Sequence, residues 1–159
     1  MAKRFKASGI LYSDGDKIGT TDYKIASEYL EKLVAISPKK LPLIGAGNAL
    51  VPRSNRRGTS NWTWNSADGV LGHAELEYVT DKGNPHIVAN ITFYDHRCRE
   101  YEKILQSKER KQLRLGFYMS SVSMNVDDNI LRDGVIRSIM LGDTCLGGYI
   151  YKFGWEEVE

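Results

Sequence analysis

The chain of 159 residues is poor in the residues that most often announce a mechanism. It has two cysteines, Cys98 and Cys145, too few and too far apart for a metal-ligand spacing or a disulfide framework. They fit a reducing compartment. Histidine occurs three times, at His73, His86 and His96, and none has a nearby acid at a spacing that demands catalysis. No apolar run is long enough to span a bilayer. The basic start MAKRFKASGI is not followed by an apolar stretch, so neither a membrane segment nor a secretion signal is expected. The sequons at Asn61 and Asn90 then carry no meaning. An excess of one charge is missing too: 22 basic against 20 acidic residues leave a net +2, which gives no argument for nucleic acid or a lipid surface. Repeats and low-complexity segments are absent, and nothing calls for a cofactor or a metal.

What remains is a globular composition, 42% hydrophobic and 26% charged, and it predicts one domain over 1–159. A first strand is predicted over 4–12, ending in the turn Ser13-Asp14-Gly15-Asp16. Asp22 suits an N-cap for a helix over 23–35, with Ala26, Tyr29, Leu30 and Leu33 on its apolar face. Residues 44–68 read as a long irregular stretch, with a short strand at NWTWN. Ala74, Leu76 and Tyr78 alternate with Glu75 and Glu77, and Ile87, Ala89, Ile91 and Phe93 alternate again beyond the turn at 80–84, which predicts a β-hairpin. A second helix is expected over 97–111, capped by Asp95, with Tyr101, Ile104 and Leu105 facing inward. Leu113, Leu115, Phe117 and Met119 then line one face of a strand. Two more strands are expected at 135–141 and 148–155.

Several motifs bear on chemistry. GAGNAL, at Gly45 to Leu50, lacks the third glycine and the following helix of a phosphate loop. Arg53, Arg56 and Arg57 lie in VPRSNRRGTSNW, a stretch without an acid, and are the candidate binding residues; arginine suits carboxylates and aromatic partners. Serines cluster in LRLGFYMSSVSM, where strand parity sets Ser121 and Ser123 on the side of Met119 and Ser120 on the other. A nucleophilic serine needs a base. His73, in phase with Glu75 and Glu77, is the candidate.

The second half of the chain resembles the prohead protease family of tailed phages, serine endopeptidases that trim scaffold and capsid protein during head maturation. The resemblance rests on WNSADGVLGHAELEY, GNPHIVANITF, ILQSKERKQLRLGFYMSSVSM and GVIRSIMLGDTCLGG, and covers about residues 62–150. It implies an α+β fold: a small antiparallel β-barrel-like domain with two helices, of prohead-protease type, with its core at about 62–155. It places Ser120 at the nucleophile, with Asp143 and Cys145 where the family has Glu and Ser. The family's histidine falls at Asn65 or Ser66, neither of which can take the serine's proton. The expectation is therefore a catalytically silent homologue. It would be a virion or head-assembly structural protein, present in many copies and bound to capsid, portal or ring proteins, assembled in the host cytoplasm. The alternative is an active serine endopeptidase using Ser120 or Ser121 with His73. A third reading is a soluble binding domain unrelated to phages.

Overall fold

A computed structural model describes residues 3–19, 21–46, 70–80, 83–94, 105–106, 114–123, 127–142 and 147–157. The chain opens with strand β1 (Lys3–Ser13), a short β2 (Lys24–Ile25), a 3-10 turn (Ser27–Tyr29) and helix α1 (Leu30–Ile36). Strands β3 (Leu41–Ala46), β4 (Val70–Val79), β5 (His86–Phe93), β6 (Arg114–Ser120), β7 (Ile130–Leu131), β8 (Val135–Gly142) and β9 (Ile150–Glu157) follow. Seven strands form one sheet in the order β6-β8-β3-β4-β5-β1-β9, and β2 pairs with β7 in a separate two-stranded ladder.

The expected hairpin is present. Strands β4 and β5 pair antiparallel from Gly72 opposite Phe93 to Val79 opposite His86. Its apolar phase turns Ala74, Ile87, Ala89, Ile91 and Phe93 into the core, while Glu75 is exposed on the other face. Leu115 is fully buried on β6, and Phe117 and Met119 pack against the same core. Leu105 is buried as well; the rest of the segment assigned to the second helix, the NWTWN strand and Asp95 lie outside the described residues.

The barrel-like domain with two helices is not what the chain builds. The described residues give one complete helical element, the three-residue turn leading into the seven residues of α1. It begins later than Asp22 because Lys24 and Ile25 are extended and paired in parallel with β7. Lys24 N–H donates to Asn129 O at 3.0 Å, Ala26 N–H to Leu131 O at 2.9 Å and Ile25 N–H to the Tyr12 hydroxyl at 2.9 Å. In a helix from Tyr23 the Ala26 amide would be the first to need an intrahelical acceptor, and it is bonded to Leu131 O instead. The apolar face is nonetheless as expected, with Ala26, Tyr29, Leu30 and Leu33 buried. At the other end Ser37 N–H and the Ser37 hydroxyl both donate to Leu33 O, and the same hydroxyl accepts from Ile136 N–H at 3.1 Å. One buried serine thus caps the helix and ties it to β8.

The sheet is mixed and open. Strand β3 runs parallel to β8 and antiparallel to β4, so it is inserted between the hairpin and the serine strand's partner. Among the described residues the two sheet edges approach at one end, through a bridge between Arg114 and Tyr149. There Gly148 N–H donates to Ile10 O at 2.9 Å, Leu115 N–H to Gly148 O at 3.1 Å, and Gly147 N–H to Leu115 O at 2.6 Å. Beyond this seam β9 follows β1, from Gly9 opposite Ile150 to Lys3 opposite Glu157.

Candidate functional site

Ser120 is the last residue of β6, opposite Val135. Its hydroxyl oxygen accepts a hydrogen bond from Arg137 Nε at 2.6 Å. A guanidinium holds its proton throughout the working range of proteins, so this partner orients the hydroxyl and cannot act as its base. Ser121 follows with φ 59, a left-handed conformation, and is exposed. Ser123 turns to Asp133 instead. Its N–H and hydroxyl donate to the Asp133 carboxylate at 2.9 and 2.6 Å, which holds that carboxyl below its ordinary range. This pair closes the loop between β6 and β8 from outside. On the inside, the Tyr29 hydroxyl donates to Gly134 O at 2.6 Å.

His73 lies on β4, opposite Pro42 on one side and Thr92 on the other. It is half-buried, with its ring 6.3 Å from that of Tyr94. Burial pushes its pKa down, Lys40 adds to this, Glu75 works against it, and Lys6 and Arg4 lower it further. The ring is therefore neutral above the ordinary histidine range. Strands β3 and β8 lie between β4 and β6. Three inter-strand steps amount to about 14 Å at the usual strand spacing, against a reach of about 3 Å for proton transfer. The structure does not bring His73 to Ser120 or Ser121. NMR titration should give His73 a pKa below that of a free histidine. Because the folded value is the depressed one, the ring's contribution to stability is present above the unfolded pKa and is lost as pH falls through the folded pKa. A pKa at or above the free value would mean that the ring is not desolvated.

Arg53, Arg56 and Arg57 lie outside the described residues, as do Asn65, Ser66, His96, Cys98, Asp143 and Cys145. Among the described residues no group of three or more His, Cys, Asp or Glu side chains is placed to hold a metal ion. No helix there is long and apolar enough to cross a membrane.

The strand expected at 148–155 is present as β9, but its place at the sheet's far edge, with aromatic side chains exposed, was not foreseen. Residues Tyr149, Tyr151, Phe153 and Trp155 alternate in GYIYKFGW. Tyr151 and Trp155 are 59% and 46% exposed, and Tyr149 carries the Arg114 guanidinium 4.6 Å above its ring. Such a cation–π contact fixes both side chains at the seam. Trp155 packs its edge on Phe5, with ring centroids 5.5 Å apart. Exposed Lys152 and Glu156 flank Gly154 on the opposite face of the strand, and Glu156 meets Lys6 at 3.7 Å. The period-two signal was available in the sequence. Its exposure was not, because that depends on β9 having, among the described residues, a strand neighbour on one side only.

Comparison with protein-family models, with curated proteins and with solved structures finds no match to the chain.

Proposed function

We propose that the chain is a structural subunit used in many copies, the virion or head-assembly role that the sequence resemblance implies, and that it works through contact surfaces. The observation that carries this reading is β9. It is an eight-residue edge strand with large aromatic side chains exposed along it. A row of backbone donors and acceptors at a sheet edge is a template for pairing, and proteins that stay monomeric usually shorten, cover or charge such edges. Here Lys152, Glu156 and Glu157 charge the strand, but the exposed aromatic side chains lie between and beside them. Capsid, portal or ring proteins are the partners this reading assigns, together with further copies of the chain.

Sedimentation of the purified chain tests it. Species heavier than the 18.0 kDa protomer should appear and grow with concentration. The chain should also be detected by mass spectrometry in purified particles. A strictly monomeric chain that is absent from particles would sink the reading. The basic segment supplies a second test. Changing Arg53, Arg56 and Arg57 together to Glu should leave the circular dichroism spectrum intact and block incorporation into particles. Normal incorporation would remove that segment from the contact.

A further inference from the structure

We infer that two copies of this chain pair antiparallel through β9, with Gly154 on the two-fold axis. The inference rests on the reading of the chain as a multi-copy subunit, and it specifies the partner, the register and the residues.

A two-fold contact is self-complementary, so residue i faces j and j faces i. In an antiparallel strand pair, residues that stand opposite each other share a face. The question is which centre of symmetry lets the β9 side chains match their own copies. Centring on Gly154 sets Lys152 opposite the partner's Glu156 and Phe153 opposite the partner's Trp155. Symmetry repeats both pairs. Each face of the joint is then satisfied: opposite charges meet on the outer face, and aromatic rings meet on the core face. Opposite-charge and aromatic pairs are the cross-strand combinations that stabilise a sheet.

Neighbouring registers do not offer this. A centre on Phe153 puts Lys152 opposite the partner's Gly154 and Glu156 opposite the partner's Ile150. A centre on Trp155 puts Gly154 opposite the partner's Glu156 and takes Lys152 out of reach of an acid at this face. A centre between Phe153 and Gly154 puts Lys152 opposite the partner's Trp155, joining the polar face of one copy to the apolar face of the other.

Three features of the strand agree with the Gly154 centre. The ladder with β1 is regular from Ser8 opposite Lys152 to Lys3 opposite Glu157, and the irregularity that displaces Tyr151 falls outside it. Gly154 lies near the middle of this regular stretch. A Cβ on Gly154 would meet nothing within 4 Å, so the axis is open on this chain's side. Lys152, Trp155 and Glu156 are all exposed and can be reached from solvent, with Glu156 3.7 Å from Lys6 of its own chain and Trp155 against Phe5.

Charge reversal in mixed copies tests the register. Lys152→Glu alone places Glu opposite Glu at both symmetry-related positions, and Glu156→Lys alone places Lys opposite Lys. Each variant by itself should associate at least tenfold more weakly than the wild type in sedimentation equilibrium at low salt, where exposed charges are least screened. An equimolar mixture of the two restores both opposite-charge pairs and should dimerise with close to wild-type affinity. Circular dichroism should be unchanged, since both side chains lie at the surface. Variants that each self-associate like the wild type, or a mixture that stays monomeric, would overturn the β9 register. Wild-type association that survives both reversals would still leave the multi-copy reading standing on another surface. A wild-type chain that never associates would remove both.

Discussion

Replacing Phe5 with alanine is expected to lower the free energy of unfolding by about 3–5 kcal/mol. Phe5 is 1% exposed, on β1 between the hairpin and the edge strand. Its ring lies 5.7 Å from that of Phe93, 6.2 Å from Phe153 and 5.5 Å from Trp155. Truncation removes the buried area and leaves a hole lined by three other rings. Those rings belong to two different strands, so they cannot all collapse into it. Urea denaturation should show a lower midpoint with an unchanged slope, the mark of lost stability without a change in the unfolded chain. Tyr118, exposed on β6, is the control: Tyr118→Ala should shift stability by no more than about 0.5 kcal/mol. Equal effects at the two positions would mean that the aromatic cluster around Phe5 is not packed as described.

The second large effect is expected at the seam. A Cβ on Gly148 would stand 2.3 Å from the Ile10 carbonyl oxygen and 3.0 Å from Ile10 Cβ. The obstacle is mainly backbone, which no rotamer change can move aside. Gly148→Ala must therefore push the Gly147–Tyr149 segment away from β1, and the hydrogen bonds to Ile10 and Leu115 go with it. Overpacking and lost buried hydrogen bonds together should cost on the order of 3 kcal/mol. Hydrogen exchange gives a local readout: the Leu115 and Gly148 amides should lose protection before those of the β4–β5 hairpin. Exchange that stays slow at both amides would show that the seam tolerates a methyl group.

Local pattern carried much of the architecture. The β4–β5 hairpin was legible because its two strands alternate strictly and a glycine-containing turn joins them. The serine strand was legible through Leu115, Phe117 and Met119. The apolar face of α1 was legible at Tyr29, Leu30 and Leu33, but its start was not. Asp22 is a good cap in isolation, and it was the carbonyls of Asn129 and Leu131, more than a hundred residues away, that drew the amides at 24 and 26 into another ladder. The place of β3 was hidden for the same reason. No strand was expected at 41–46 and residues 44–68 read as irregular, so neither β3 nor its parallel pairing with β8 was foreseen. The barrel with two helices failed on these non-local choices. The site was harder still. Whether Ser120 and His73 meet depends on strand order, and two strands came between them. The edge aromatics were visible as letters, but only the sheet order shows that β9 has an unpaired side among the described residues.

The position of β9 also bears on how the chain reaches its fold. The strand Ile150–Glu157 lies against Lys3–Ser13, so this ladder joins segments from opposite ends of the numbering. Closing such a loop costs more entropy than closing the short hairpin turn, and contacts of long sequence separation form late and slowly. Synthesis imposes the same order, since residue 157 must emerge before β1 can gain this neighbour. Until then β1 itself is the exposed border beside β5, with Phe5 short of its Phe153 and Trp155 contacts. A partly made chain in that state presents a different pairing edge from the finished one. Slow translation or crowding of nascent chains would thus favour mispairing through β1, whereas completed molecules present β9.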